Sequence, residues 1–131
     1  MSASESQKTA VVTGASSGIG AATARALAEA GYSVFVAARR ADRLEALAGE
    51  IGATAVHCDI TDPVSVSALA QTVGGRLDVL VNNAGGALGL DPVAEANLDD
   101  WRWMYETNVL GTVSVTKALT PALIASGAGV I

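Results

Sequence analysis

Thr13-Gly14-Ala15-Ser16-Ser17-Gly18-Ile19-Gly20 follows the apolar run Ala10-Val11-Val12 and opens onto Ala21 to Ala30, a nearly unbroken series of helix formers. That order reads as strand, glycine turn, helix, and the rest of the fold is read outward from it. Glycine removes the Cβ where backbone must come close to a ligand. A helix N-terminus adds unpaired N–H groups and the positive end of a dipole. Together they suit a phosphate, and the pyrophosphate of a dinucleotide above all. The contacting positions are then Gly14, Ser16, Ser17, Gly18, Ile19 and Gly20, through backbone N–H groups more than through side chains.

Three other motifs compete for the same residues. A P-loop would need Gly-Lys-Ser/Thr, and Ile19 stands five residues after Gly14 instead. The strict G-x-G-x-x-G pattern fails at Ser16 and Thr23. Gly14 to Gly18 does spell G-x-S-x-G, the signature of a hydrolase nucleophile elbow. An elbow needs an upstream oxyanion-hole strand and a later acid and histidine, but little chain precedes Gly14 and the only histidine is His57. Position in the chain disfavours the elbow.

The 131 residues suffice for one domain with a single core. Half of them are apolar but only 4% are aromatic, a balance that suits helices packed closely on a buried parallel sheet. A net charge of -5, with no basic stripe, argues against nucleic acid as a partner. Uninterrupted apolar stretches fall short of the roughly 20 residues of a membrane span, and Met1 to Glu5 has none of the features of a signal peptide. No membrane partner and a cytoplasmic location are the expectation. The lone cysteine, Cys58, excludes an internal disulfide. His57 and Cys58 adjoin, but two ligands cannot enclose a structural zinc, so both are expected to be packing residues and no metal is expected.

Along the chain, residues 1–8 are polar and expected to fray. Strands are expected at Thr9 to Val12, Ser33 to Ala38, Thr54 to Cys58 and Leu77 to Asn82. Helices fall between them: Gly18 to a C-cap at Gly31, Asp42 to Ile51 closed by Gly52, and Pro63 to Val73 with Asp62 as its cap. Right-handed β-α-β crossovers give an α/β fold, a doubly wound parallel sheet of local order 3-2-1-4. Its ligand crevice opens where strands 1 and 4 end, at the glycine turn and at Asn82-Asn83-Ala84-Gly85. After a loop of small residues with Pro92, Asn97 caps a long helix in which Trp101, Tyr105 and Val109 are expected to form a packing face and Pro121 a bend or local irregularity. Val130-Ile131 reads as the start of a fifth strand.

Four motifs in this order resemble the N-terminal half of the short-chain dehydrogenase/reductase family: Thr13-Gly14-x-x-x-Gly18-x-Gly20, the strand-end Asp59, Asn82-Asn83-Ala84-Gly85, and Asn108 within Thr107-Asn108-Val109-Leu110-Gly111. The likeness covers residues 9–131. It implies a Rossmann-type fold, with residues 1–131 as one dinucleotide-binding domain that stops at the start of strand 5. It also implies hydride transfer between a nicotinamide cofactor and a small carbonyl or hydroxy substrate, with a tyrosine, lysine and serine completing the chemistry. No Tyr-x-x-x-Lys occurs in the chain. By itself the chain is therefore expected to be inactive, and a truncated or partial chain is expected, since an end at Ile131 would leave strand 4 as an apolar sheet edge. The alternative is a natural polypeptide that binds dinucleotide without catalysing anything.

The resemblance also distributes roles. Asp59 and Ile60 are expected to hold the adenine, against the alternative that Asp59 merely serves its turn. Asn83, with Ala84 and Gly85, is expected near the adenosine ribose, while Asn82 ties neighbouring strands. Asn108 is the one catalytic position in the chain, through a water relay in the family; otherwise it is a satisfied buried amide. At the end of strand 2, where a carboxylate would bind an NAD ribose, stand Ala38, Arg39 and Arg40. Two guanidiniums suit a ribose 2′-phosphate, so NADP is favoured over NAD, unless the arginines are ordinary solvated charges. The loop after Gly85 is most similar to the 3-hydroxy acid and serine dehydrogenase group. A homo-oligomer is implied, through the helix around Trp103 to Leu119.

Overall fold

The computed structural model of the chain describes residues 7–89 and 91–131. The fraying expected for the first residues, and Leu90 in the loop before Pro92, lie outside the described residues apart from positions 7 and 8. Strand β1 (Thr9–Thr13) leads through the glycine turn into α1 (Gly18–Glu29), followed by β2 (Ser33–Ala38), α2 (Ala41–Ile51), β3 (Thr54–His57), α3 (Pro63–Val73) and β4 (Val79–Val81). A single 3-10 turn (Val93–Glu95) precedes a long helical run. This comprises α4 (Leu98–Met104), a π-helical segment (Tyr105–Gly111) and α5 (Thr112–Ala125).

The four strands are parallel and ordered β3-β2-β1-β4. Val11 pairs with Phe35 on one side and Leu80 on the other, so β1 is central. Successive strand residues face opposite sides, and β1 shows the consequence directly. Val11 packs with Leu69, Leu80, Val115 and Leu119 under α3 and α5, whereas Val12 packs with Ala24, Leu44 and Leu47 under α1 and α2. Helices therefore cover both faces, which is why β1 and β2 carry no charged residue and polar ones only at their ends, Thr9, Thr13 and Ser33. Val130 makes an isolated parallel bridge to Val79 at the edge of β4, with Leu80 N donating to Val130 O at 2.9 Å.

Local signals set the helix ends. Asp62 accepts from Val64 N at 3.0 Å with Pro63 in the first turn, and Asn97 accepts from Asp99 N at 2.9 Å. Gly52 closes α2 in the left-handed conformation at φ 70°.

Three expectations about the second half change. Trp101, Tyr105 and Val109 lie outside the buried core; they are 55%, 55% and 44% exposed, because the inward contacts come from Val115, Leu119, Ala122 and Leu123 further along. Pro121 leaves α5 continuous, and the departure from α geometry lies at Tyr105–Gly111, around Asn108. The run Leu98–Ala125 is also 28 residues long and apolar enough, by length and composition, to cross a membrane. Charges are sparse along it, although Asp99, Asp100, Arg102, Glu106 and Lys117 interrupt it, and in its C-terminal half Val115, Leu119, Ala122 and Leu123 are buried in the core.

Candidate functional site

The strand ends meet where the topology reverses, and the contacts there are close. Thr13, 1% exposed, receives hydrogen bonds on its hydroxyl from Asn83 N and Ala84 N, both at 3.0 Å, and donates toward Val81 O at 3.4 Å. Asn83 Nδ2 donates to Gly14 O at 3.0 Å. The glycine turn and the Asn-Asn-Ala-Gly turn are thus one unit. Gly14 sits at φ +60°, and a Cβ there would lie 2.8 Å from the Ala84 Cα, so only glycine permits this approach. Gly20 serves packing as well: a Cβ there would strike Gly14 O and come within 2.5 Å of Asn83 Nδ2.

The tie between neighbouring strands expected of Asn82 is made by Asn83. Asn83 joins β4 to β1, while Asn82 Nδ2 donates to Thr116 Oγ1 at 3.0 Å and ties β4 to α5. Alternation along the chain decides this, since adjacent side chains leave on opposite sides.

A cleft of about 250 Å³ opens beside this unit. Of the residues singled out in the sequence, Gly14, Ser16, Arg39, Arg40, Asp59, Ile60, Ala84 and Gly85 line it. Ser17, Gly18, Ile19, Gly20, Asn83 and Asn108 do not. Ser17, Gly18 and Ile19 lie on the exposed start of α1, Ile19 being 78% exposed, and Ser17 makes no side-chain cap bond to the helix. Gly18 adopts φ +59° with nothing within 4 Å of its missing Cβ, so its backbone faces open space rather than a neighbour.

Around the cleft the electrostatics are divided. Arg39 and Arg40 are exposed, and no carboxylate ends β2. His57, expected to pack, is instead exposed, its Nε2 lying 2.6 Å from Arg39 O. That contact ties the strand ends that carry the arginines and Asp59. Asp59 Oδ1 accepts from Thr61 Oγ1 at 2.7 Å and Thr61 N at 3.0 Å, bonds that hold its carboxyl below the ordinary carboxylate range. Asp59 thus serves its turn and lines the cleft at once. Cys58 is 2% exposed, as expected for packing, and burial pushes its thiol up.

Asn108 lies in the π segment, where an extra residue per turn disturbs the backbone ladder. It is exposed rather than buried, and both ends of its amide bind the Gly86 peptide: Oδ1 accepts from Gly86 N at 2.8 Å and Nδ2 donates to Gly86 O at 2.7 Å. Trp103 and Thr107, which sequence reasoning did not single out, complete the wall of the cleft. Their spacing of four ahead of Gly111 is a weak signal, visible only once the helix is known to pass the site. Among the described residues no group of three or more His, Cys, Asp or Glu is placed to hold a metal.

The turn fills the space beside Gly14 but leaves that beside Gly18 open, the helix start is not capped by its own side chain, and two guanidiniums stand at the end of β2. An anionic, bisphosphorylated ligand suits that set.

The family model for short chain dehydrogenases matches residues 8–131. An uncharacterized oxidoreductase of Mycobacterium tuberculosis is 62% identical over 125 residues, covering 95% of this chain and 49% of that protein. The serine 3-dehydrogenase of Agrobacterium fabrum is 46% identical over 121 residues, covering 88% of this chain and 49% of its own length. Among solved structures, the closed form of a serine dehydrogenase complexed with NADP+ superposes with a TM-score of 0.86 at 32% identity, over 92% of this chain and 51% of that one. The chain spans about half the length of the curated relatives it matches.

Proposed function

The chain belongs to the short chain dehydrogenase family, and from that premise we propose that it is the cofactor-binding part of an NADP-dependent oxidoreductase. The reaction is hydride transfer between NADP(H) and a small carbonyl or hydroxy compound. The observation that carries the cofactor choice is the pair Arg39 and Arg40 lining one cleft with Gly14 and Ser16, with no carboxylate at the end of β2. An NAD site would use a carboxylate there to accept from the ribose hydroxyls; guanidiniums instead grip a 2′-phosphate through paired, charge-assisted bonds.

When bound, NADP(H) supplies the hydride. This chain's residues bind and orient it. The N–H groups at the start of α1 hold the pyrophosphate, Arg39 and Arg40 hold the 2′-phosphate, and Asp59 with Ile60 contacts the adenine. Thr13 and Asn83 keep the two turns in register. Asn108, clasping Gly86, fixes the loop that continues toward the substrate side and serves the proton relay. The similarity to serine 3-dehydrogenase supports a small hydroxy acid as substrate. The exposed apolar residues Trp101, Tyr105, Leu110 and Val113 support a homo-oligomer built through the long helix. We place the protein in the cytoplasm, without nucleic-acid or membrane partners.

Fluorescence titration with NADPH and NADH tests the cofactor reading. The chain should bind NADPH more tightly, and Arg39→Asp should shift preference toward NADH, with Arg40→Asp doing less. An unchanged ratio of the two affinities in Arg39→Asp would overturn the choice of NADP. Intact-mass measurement of the natural product separates the enzyme from a non-catalytic binder. A mass near 25 kDa, a rough size for one full domain of this kind, supports the enzyme, and NADPH oxidation with small carbonyl compounds should then be measurable. A product of 13.1 kDa should bind without turnover.

A further inference from the structure

We infer that Trp103 forms part of the cofactor site, its indole providing an aromatic wall for the adenosine end of the dinucleotide. The inference rests on the reading of the cleft as a site for an adenosine 2′-phosphate. Three observations support it. First, the cleft is the adenosine end rather than the nicotinamide end. Arg39, Arg40, Asp59 and Ile60 line it, whereas Gly18 and Ile19 at the start of α1 do not.

Second, Trp103 lines that same cleft and is held in place there. A Cβ on Gly86 would lie 2.8 Å from the Trp103 Cη2, so the indole tip lies against a position that only glycine leaves room for. Gly86 is itself fixed by the two hydrogen bonds from Asn108. The ring is thereby backed by anchored backbone, and its half-buried state leaves surface for a ligand. Third, the neighbouring tryptophan behaves differently. Trp101 is two residues away, on another side of the helix, 55% exposed and beside Leu98, Tyr105 and Leu110 rather than in the cleft. The placement of Trp103 is thus specific to its position and not a property of an aromatic helix.

Chemistry points to the base. A purine presents a broad, polarisable face, and stacking it against an aromatic side chain is favourable without demanding a particular hydrogen-bond pattern. Ile60, 8% exposed, gives the cleft a second apolar contact from the end of β3. Adenine is the part of NADP that such apolar walls recognise; the 2′-phosphate has Arg39 and Arg40, and the pyrophosphate the N–H groups at the start of α1.

The test uses the chain's two tryptophans. In Trp101→Phe the remaining indole is Trp103, and its emission should be quenched saturably by adenosine 2′,5′-bisphosphate but not by nicotinamide mononucleotide. Trp103→Ala should weaken adenosine 2′,5′-bisphosphate about tenfold, about 1.4 kcal/mol, and Trp103→Phe, which keeps an aromatic face, should recover most of that loss. Should Trp103→Ala fail to fold, as judged by circular dichroism, the quenching in Trp101→Phe and the affinity of Trp103→Phe decide the matter. Binding of the bisphosphate with no change in Trp103 emission and equal affinity in the Trp103 variants would overturn the inference while leaving the NADP reading intact. No binding of the bisphosphate to the parent chain would overturn both.

Discussion

Asn108 grips Gly86 by both ends of its amide, accepting from Gly86 N at 2.8 Å and donating to Gly86 O at 2.7 Å. The pair makes the π segment and the loop after β4 one structure. A Cβ on Gly85 would lie 2.7 Å from Asn108 Oδ1, and one on Gly86 would meet Trp103. The two glycines are therefore needed because the helix passes directly over them. Further along, Gly111 lets the same helix approach the Ile60 side chain, whose Cδ1 would lie 2.8 Å from a Cβ at that position. The long helix is seated against the cleft at both points.

Removing the clasp should loosen this region without destroying the sheet. Asn108→Ala loses two hydrogen bonds in a partly hydrated setting, a cost of about 1–2 kcal/mol. Asn108→Asp should cost more at neutral pH, because a carboxylate oxygen then faces the Gly86 carbonyl. Urea unfolding checks the order, parent above Asn108→Ala above Asn108→Asp. Equal midpoints for parent and Asn108→Ala would show that the clasp contributes nothing.

Gly14 and Gly18 share a positive φ but differ in what surrounds them, so alanine should separate their roles. Gly14→Ala combines left-handed strain with a collision against the Ala84 backbone and should destabilise by about 2–4 kcal/mol. Gly18→Ala meets no neighbour and should cost only about 1–2 kcal/mol of strain. If phosphate approaches the open side of Gly18, its variant should lose far more NADPH affinity than stability. Comparing unfolding midpoints with NADPH titrations tests both statements; a Gly18→Ala chain that binds as the parent does would place the phosphates elsewhere.

The sheet order was legible because strand and helix signals alternate cleanly and Gly31, Gly52 and the Asp62-Pro63 pair mark the boundaries. That the arginines and the glycine turn would meet at one end of the sheet was legible because the strand order sets it. What the sequence could not convey was direction. Which of Asn82 and Asn83 reaches β1 depends on the twist of a three-residue strand, and whether Trp101 or Trp103 faces the cleft depends on the rotation of a helix that starts after an irregular loop. The exposed face of Trp101, Tyr105 and Val109 shows the same limit, since periodicity identifies an apolar stripe but not what covers it.

Asp78 makes stability depend on acid. It is 6% exposed and accepts from Thr9 N at 2.9 Å, and that bond, with Arg76 nearby, holds its carboxyl below the ordinary value of 3.8. A group whose folded-state pKa is depressed stabilises the fold above its unfolded value, and the contribution is lost as pH falls through the folded value. Asp78→Asn keeps an acceptor for Thr9 N but no charge. It should be less stable than the parent at pH 7 by about 1 kcal/mol, and the gap should close as pH falls below about 4, near the ordinary carboxylate value. Urea midpoints from pH 7 down to pH 2.5 would read this out; a gap of constant size would assign the pH dependence to other carboxylates.

Thr13 concentrates the connection between the two turns in a single hydroxyl. Its Oγ1 receives Asn83 N and Ala84 N at 3.0 Å each, while the side chain is buried at the end of the central strand. Thr13→Val has nearly the same shape but removes the acceptor, leaving two backbone donors without it in a place water reaches poorly. One unsatisfied buried donor costs about 1–3 kcal/mol, so the variant should lose about 2–4 kcal/mol. Thr13→Ser keeps the hydroxyl and loses only a methyl group, and should stay within about 1 kcal/mol of the parent. Because the Asn83-Ala84-Gly85 turn borders the cleft, Thr13→Val should also weaken NADPH binding, whereas Thr13→Ser should not. Chemical denaturation and NADPH titration of the two variants distinguish the hydroxyl from simple packing: if valine behaves as the parent does and serine does not, the methyl group and not the hydrogen bonds holds the two turns together.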